Sequence, residues 1–218
     1  MPDFIYTPPQ HPLEYLYEDD DLIAINKPAG LLSVMGRLPE HQDSAYLRIL
    51  QRIPLAKVIH RLDMATSGIL LFAKHREVEV MMSKIFQARQ VKKYYTAWVE
   101  GQLQGQGMVD VPLIADWEHR PRQKVDYDVG KPAQTLYQAE RYDEQLDCSR
   151  VLLEPITGRS HQLRVHMAHL GHPITGDKLY HPQPNKSPLG RLALHATKLQ
   201  FLHPTQQVWI EIVSEAPF

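Results

Sequence analysis

The sequence predicts an α+β fold on a largely antiparallel or mixed sheet. Three observations lead there. Segments with strand character outnumber those with helical spacing, many follow one another across short turns, and regular strand–helix alternation is absent. The 218 residues suffice for one domain with its own core, and 43% hydrophobic with 22% charged side chains is ordinary globular composition.

Each element has a local reason. Residues 1–12 carry Pro2, Pro8, Pro9 and Pro12 and read as an extended arm ahead of a single domain over 13–218. Leu13–Tyr17 and Leu22–Asn26 make a hairpin around the acidic turn Glu18–Asp21, and Lys27-Pro28-Ala29-Gly30 stops its second strand. Ser44 caps a short helix carrying Leu47, Leu50 and Ile53, which Pro54 ends. Val58-Ile59, a polar loop and the strand Ile69–Ala73 follow. A helix over about His75–Arg89 brings Val78, Met81, Met82, Ile85 and Phe86 to helical spacing, a core stripe rather than a cofactor box. Lys92–Val99 alternates as a strand. Strands near Met108–Leu113, Gln123–Asp128, Gln134–Tyr142 and Arg150–Glu154 lead to a helix over Ser160–Leu170, with Ser160 at its N-cap, Gly171 just past its end and Pro173 beyond. Leu192–Leu202 and Gln207–Val213 close the chain.

Composition excludes several classes. No run of about 18 apolar residues exists to span a membrane, and the N-terminus lacks the basic and apolar stretches of a secretory signal. The lone Cys148 makes no internal disulfide and no Cys-based metal site, so a reducing, cytoplasmic setting is expected. Net charge is −1, but it is segregated. Residues 46–98 hold ten basic and three acidic groups, and residues 159–198 hold six basic groups, one acid (Asp177) and six of the 12 histidines. Two basic blocks of this kind suit a polyanionic partner if the fold brings them together, and otherwise make solvated surface.

Four segments hold candidate chemistry. The stretch from Val58 to Ala73 places His60, Arg61, Asp63, Thr66 and Ser67 in one loop, with Asp63 the sole acid between Asp43 and Glu77. A loop leaving a strand is a usual place for a catalytic group, although a lone Asp there is more often a turn former. Lys92-Lys93-Tyr94-Tyr95-Thr96-Ala97-Trp98 alternates, so Tyr94 and Tyr95 face opposite ways. In Pro155–Met167, Arg159 precedes the helix, Leu163, Met167 and Leu170 form its apolar stripe, and Arg164 sits beside that stripe. An arginine there needs an anion, for which Asp63 is one candidate. His166 and His169 are spaced to share a metal, but no His-Glu-x-x-His pattern accompanies them and no metal site is expected. Finally, Asp116–Lys124 surrounds Trp117 with Arg120, Arg122 and Lys124, the composition of a loop that stacks on bases and tracks phosphates.

Taken in order, these segments resemble the pseudouridine synthases of the RluA family. The matching stretches are Lys27-Pro28-Ala29-Gly30, HRLDMATSG over 60–68, KKYYTA over 92–97, LEPITGRSHQLRVHMAHLGHPITGD over 153–177, and Leu194-His195-Ala196. The resemblance implies a mixed, mostly antiparallel central sheet with flanking helices and a central cleft. It implies that Asp63 is the catalytic aspartate, that Tyr95 contacts the target base, that Arg164 pairs with the aspartate, and that Arg61 enters the RNA stack where the uridine leaves. Only 26 residues precede Lys27, too few for the S4-type domain of many members. The stretch from 115 to 135 is similar to the short, dual-specificity type that acts on 23S ribosomal RNA and on the transfer-RNA anticodon stem-loop, and a monomer without cofactor is expected. His60, Trp117, Arg120, Arg122, Lys124 and Arg159 are the further candidates for RNA contact. The competing readings are a family member with a single ribosomal or transfer RNA target, a cofactor-free hydrolase with an aspartate nucleophile, and an RNA-binding module without catalysis.

Overall fold

The computed structural model describes residues 5–183 and 187–218. Part of the proline-bearing arm, including Pro2, therefore lies outside the described residues. The chain forms two compact units, one over residues 1–91 and 196–215 and the other over 92–195 and 216–218.

The first unit begins with the hairpin of β1 (Glu14–Glu18) and β2 (Leu22–Lys27), paired antiparallel as the acidic turn requires. Helix α1 (Ala45–Arg52) follows, and Ser44 caps it by accepting a hydrogen bond from the Leu47 amide at 3.2 Å. The short β3 (Lys57–Val58) and β2 both pair antiparallel with β4 (Ser67–Ala73). All seven β4 residues are buried, the mark of a strand covered on both faces. Helix α2 (Arg76–Gln87) packs Val78 and Met82 into a core with Leu22, Leu71 and Phe201. Fully burying side chains of this size stabilises by about 1.5–3 kcal/mol each. The last strands, β11 (Leu194–Leu202) and β12 (Trp209–Val213), pair antiparallel.

The N-terminal arm is extended but tied down. Tyr6 is buried, its hydroxyl donates to the Asp43 carbonyl at 2.9 Å, and Arg48 donates to the Pro9 carbonyl at 2.6 Å.

The second unit is a sheet in the order β5 (Lys92–Glu100), β10 (Cys148–Pro155), β9 (Gln134–Asp143), β6 (Gln106–Asp110), every pair antiparallel. The strand expected near Met108–Leu113 is broken at Pro112, and its end becomes β7 (Leu113–Ala115), which pairs with β8 (Gln123–Val125) as a separate hairpin. Helix α3 (Gln162–His169) starts later than the sequence indicates. Ser160 is not its N-cap. His161 holds that position in the left-handed region (φ 54°) with no side-chain cap, and the buried Gln162 fixes the entry to the helix by accepting the Arg159 amide at 3.0 Å. Among the described residues no helix is long and apolar enough to cross a membrane.

Candidate active site

The backbone on either side of Asp63 is clamped. Before it, Ser33 Oγ accepts the Leu62 amide at 3.0 Å and donates to the Leu62 carbonyl at 2.7 Å. After it, the Met64 carbonyl accepts from the Gly30 amide at 2.8 Å and from the Lys27 ammonium at 3.1 Å. Lys27 is fully buried and also donates to the Pro28 and Leu31 carbonyls, each at 2.8 Å. A buried ammonium held by carbonyls is fixed far more firmly than a surface one, because an ill-placed charge has no water to fall back on. The Thr66 amide closes a turn onto the Asp63 carbonyl at 3.1 Å. Gly68 then enters β4 at φ 107°, where a side chain would strike the Ala196 carbonyl oxygen at 2.3 Å. Asp63 itself is half-buried and Arg61 exposed. His60 lies inward: its Nε2 accepts the Leu71 amide at 3.0 Å and its ring stacks on Phe86.

In the second unit, Tyr95 is a half-buried residue of β5, opposite Leu153 of β10. The backbone from Pro173 to Thr175 runs beside β5, with the Glu100 amide donating to Pro173 and the Thr175 amide to Trp98. Gly176 continues that path at φ 73°, where a Cβ would stand 2.0 Å from the Arg191 carbonyl oxygen. This course delivers Asp177 to Arg164.

Arg164 is buried, not merely beside the apolar stripe, and Asp177 grips it in a fork of two 2.7 Å hydrogen bonds, Nε to Oδ2 and Nη2 to Oδ1. Bidentate pairing of this kind fixes the plane of the guanidinium. Sequence reasoning named Asp63 as a candidate anion for Arg164; within its own unit the carboxylate it meets is Asp177.

The histidine-rich stretch is divided by its surroundings. His166 is fully buried, donating from Nε2 to the Val111 carbonyl at 3.2 Å and accepting at Nδ1 from the Thr135 hydroxyl at 3.0 Å. Burial pushes its pKa down to about 4, so at neutral pH it is an uncharged structural residue. His169 on the next turn is exposed. Among the described residues no three His, Cys, Asp or Glu side chains stand together as metal ligands.

Hairpin β7–β8 presents the fourth segment. Its turn is closed by the Asp116 amide on Arg122 and the Arg122 amide on His119. Trp117 is 67% exposed, and the Arg120 guanidinium lies over its ring at 4.9 Å. Arg120, Arg122 and Lys124 are all exposed, and none meets a carboxylate in an ion pair among the described residues. Arg159 is likewise exposed, its Nε donating to the Pro132 carbonyl at 3.1 Å. Ser33, Gln162, Asp177 and Tyr180 were not among the sequence candidates. Their spacing carried no signal beyond Asp177 being the sole acid of its basic block.

Comparison with known proteins gives the family. The family model described as RNA pseudouridylate synthase matches residues 21–169. The chain is 48% identical over 216 residues to the dual-specificity RNA pseudouridine synthase RluA of Pasteurella multocida, covering 98% of each chain. It is 51% identical over 201 residues to the protein of that name from Escherichia coli K12, covering 91% of each. Among solved structures, human RNA pseudouridylate synthase domain containing 1 superposes with a TM-score of 0.79 at 28% identity, over all of this chain and 87% of its own. The human domain-containing 4 protein superposes at 0.74 with 27% identity, over 94% and 88%. Family match, near full-length identity and shared fold agree: the chain belongs to the RNA pseudouridylate synthase family, in its RluA branch.

Proposed function

We propose that the protein isomerises uridine to pseudouridine in both ribosomal RNA and the transfer-RNA anticodon stem-loop, with Asp63 as its catalytic carboxylate. The observation that carries this reading is the loop of Asp63. Its neighbours Leu62 and Met64 are both pinned by buried polar groups, which is the investment expected where one carboxylate must be held to a fraction of an ångström. The relatives' dual-specificity names support the pair of substrate classes.

The reaction breaks N1–C1′, turns the uracil and joins C5 to C1′. The C5 proton leaves and N1 gains one, so nothing is consumed. An ionised carboxylate serves this chemistry as nucleophile or base. Arg164 is assigned, through the family pattern, to favouring that ionised state, and its fork on Asp177 would keep the guanidinium in one plane. Tyr95 is assigned to the face of the target base. Reaching the base requires unstacking it, at a cost of a few kcal/mol, and the exposed Arg61 would fill the vacated space. His60, locked to Leu71 and Phe86, holds the base of that arginine's loop. Trp117, Arg120, Arg122, Lys124 and Arg159 would meet phosphates and bases of the surrounding RNA.

The test is release of tritium from C5-labelled uridine in an anticodon stem-loop. Release in step with pseudouridine formation is expected. Neither a hydrolase nor a non-catalytic RNA-binding module touches that carbon, so absence of release from well-bound RNA would refute the proposal.

A further inference from the structure

We propose that Tyr180 is a positioning residue that couples the β7–β8 hairpin to the setting of Arg164, an inference that rests on the proposed function above. Five contacts from one side chain and its amide converge here. The Tyr180 hydroxyl accepts the Gln123 amide at 2.7 Å, at the first residue of β8 and directly after Arg122. The same hydroxyl is hydrogen-bonded at 2.6 Å to Nδ1 of His161, the left-handed residue that opens α3. The ring carries two cations, Arg122 at 5.4 Å and Arg164 at 5.2 Å from its centroid. The Tyr180 amide donates at 3.2 Å to Asp177 Oδ1, the same oxygen that holds Arg164 Nη2.

The physical consequence follows from that arrangement. Arg122 is exposed and Arg164 buried, so an RNA phosphate reaches only the first. Two guanidinium groups share one ring and repel each other. A phosphate that draws Arg122 away leaves the ring to Arg164 and tightens it, while the hydroxyl keeps the hairpin strand in register with α3. Seating of RNA on the hairpin would thus be reported to a residue of the candidate active site within the same unit.

The experiment separates the two roles of Tyr180. Tyr180→Phe keeps the ring and loses the hydroxyl ties. It is expected to weaken stem-loop binding about 3- to 10-fold, the loss a missing hydrogen bond produces, and to lower the single-turnover rate by a smaller factor. Tyr180→Leu removes the ring as well, and its single-turnover rate at saturating RNA is expected to fall about tenfold or more below that of Tyr180→Phe. In the coupling arm, Arg122→Ala combined with Tyr180→Phe weakens binding by less than the product of the single effects. A purely structural role would lower the melting temperature and the active fraction of both variants, with no split between affinity and rate. That result would overturn the proposal, as would Tyr180→Phe binding RNA like the wild type. Wild-type protein that binds the stem-loop but releases no tritium would instead refute the assigned activity, with the binding arm still reading the link to the hairpin.

Discussion

The loop of Asp63 and the β7–β8 hairpin are built on opposite plans. Around Asp63 the backbone is pinned by Ser33, Lys27 and Gly30, and the adjoining β4 is buried throughout. The hairpin holds itself by its own turn bonds and by Gln123 on Tyr180, and turns Trp117 and three cations to water, none of them ion-paired with a carboxylate among the described residues. A group that must act on one bond gains from being immobile, since a displacement of about 1 Å can cost a hundredfold in rate. Groups that must fit different RNA shapes gain from long side chains on a small, self-contained support. The difference teaches that rigidity and charge are allotted to separate segments, and each can be damaged without the other.

The largest expected effect is at Asp63. Asp63→Ala and Asp63→Asn should lower the single-turnover rate by at least about a thousandfold with melting temperature and RNA affinity nearly unchanged. Rate measurement beside a thermal scan checks this. Next is Arg164→Ala, which strands Asp177 as a buried, unpaired carboxylate. A loss of about 3–5 kcal/mol is expected in denaturant unfolding, with activity falling as well. Wild-type stability in that variant would show that the fork is not what holds this region.

His166 gives a pH test of the rigid part of the second unit. Its pKa in the folded protein is about 4, below the ordinary 6.5, so the unfolded chain takes up the proton first on acidification. Stability from this group is therefore present above about pH 6.5 and is lost as pH falls toward about 4, at most about 3 kcal/mol in all. His166→Asn should flatten that part of the stability–pH curve relative to wild type. Ser33→Ala leaves the Leu62 amide without its partner and should cost about 1–3 kcal/mol, with a fall in single-turnover rate because Asp63 is the next residue. The smallest effect on stability, within about 0.5 kcal/mol, is expected for Arg120→Ala/Arg122→Ala/Lys124→Ala together.

Much of this organisation was legible in the sequence, for identifiable reasons. Ser44, Gly171 and the stripe through Val78 and Met82 act within one turn of their own helix, so spacing reveals them. What stayed hidden depends on partners far along the chain. Ser160 reads as a cap, but Gln162 reaches back to Arg159 while its amide group bonds Gln134 and Thr135, more than 25 residues away. His166 and His169 share one helical face by spacing, yet His166 bonds Thr135 and Val111 in the interior while His169 is exposed. Arg164 announces its need for an anion, while the choice of Asp177 follows from the path of Pro173–Gly176 beside β5. The ordered motifs single out Asp63 as a candidate; the structure adds that Lys27 and Gly30 both hold the carbonyl of the residue after it.

The central claim is that chemistry and recognition reside in different segments, and it is tested most directly by measuring the salt dependence of stem-loop binding and the single-turnover rate for Asp63→Asn and the hairpin triple variant side by side. The account predicts that Asp63→Asn keeps the wild-type salt slope and makes pseudouridine at least about a thousandfold more slowly than the wild type. It predicts that the triple variant loses about 2 units of slope or somewhat more and keeps most of its rate at saturating RNA. Turnover by Asp63→Asn at a rate near the wild type's, or a triple variant with an unchanged slope, would contradict it.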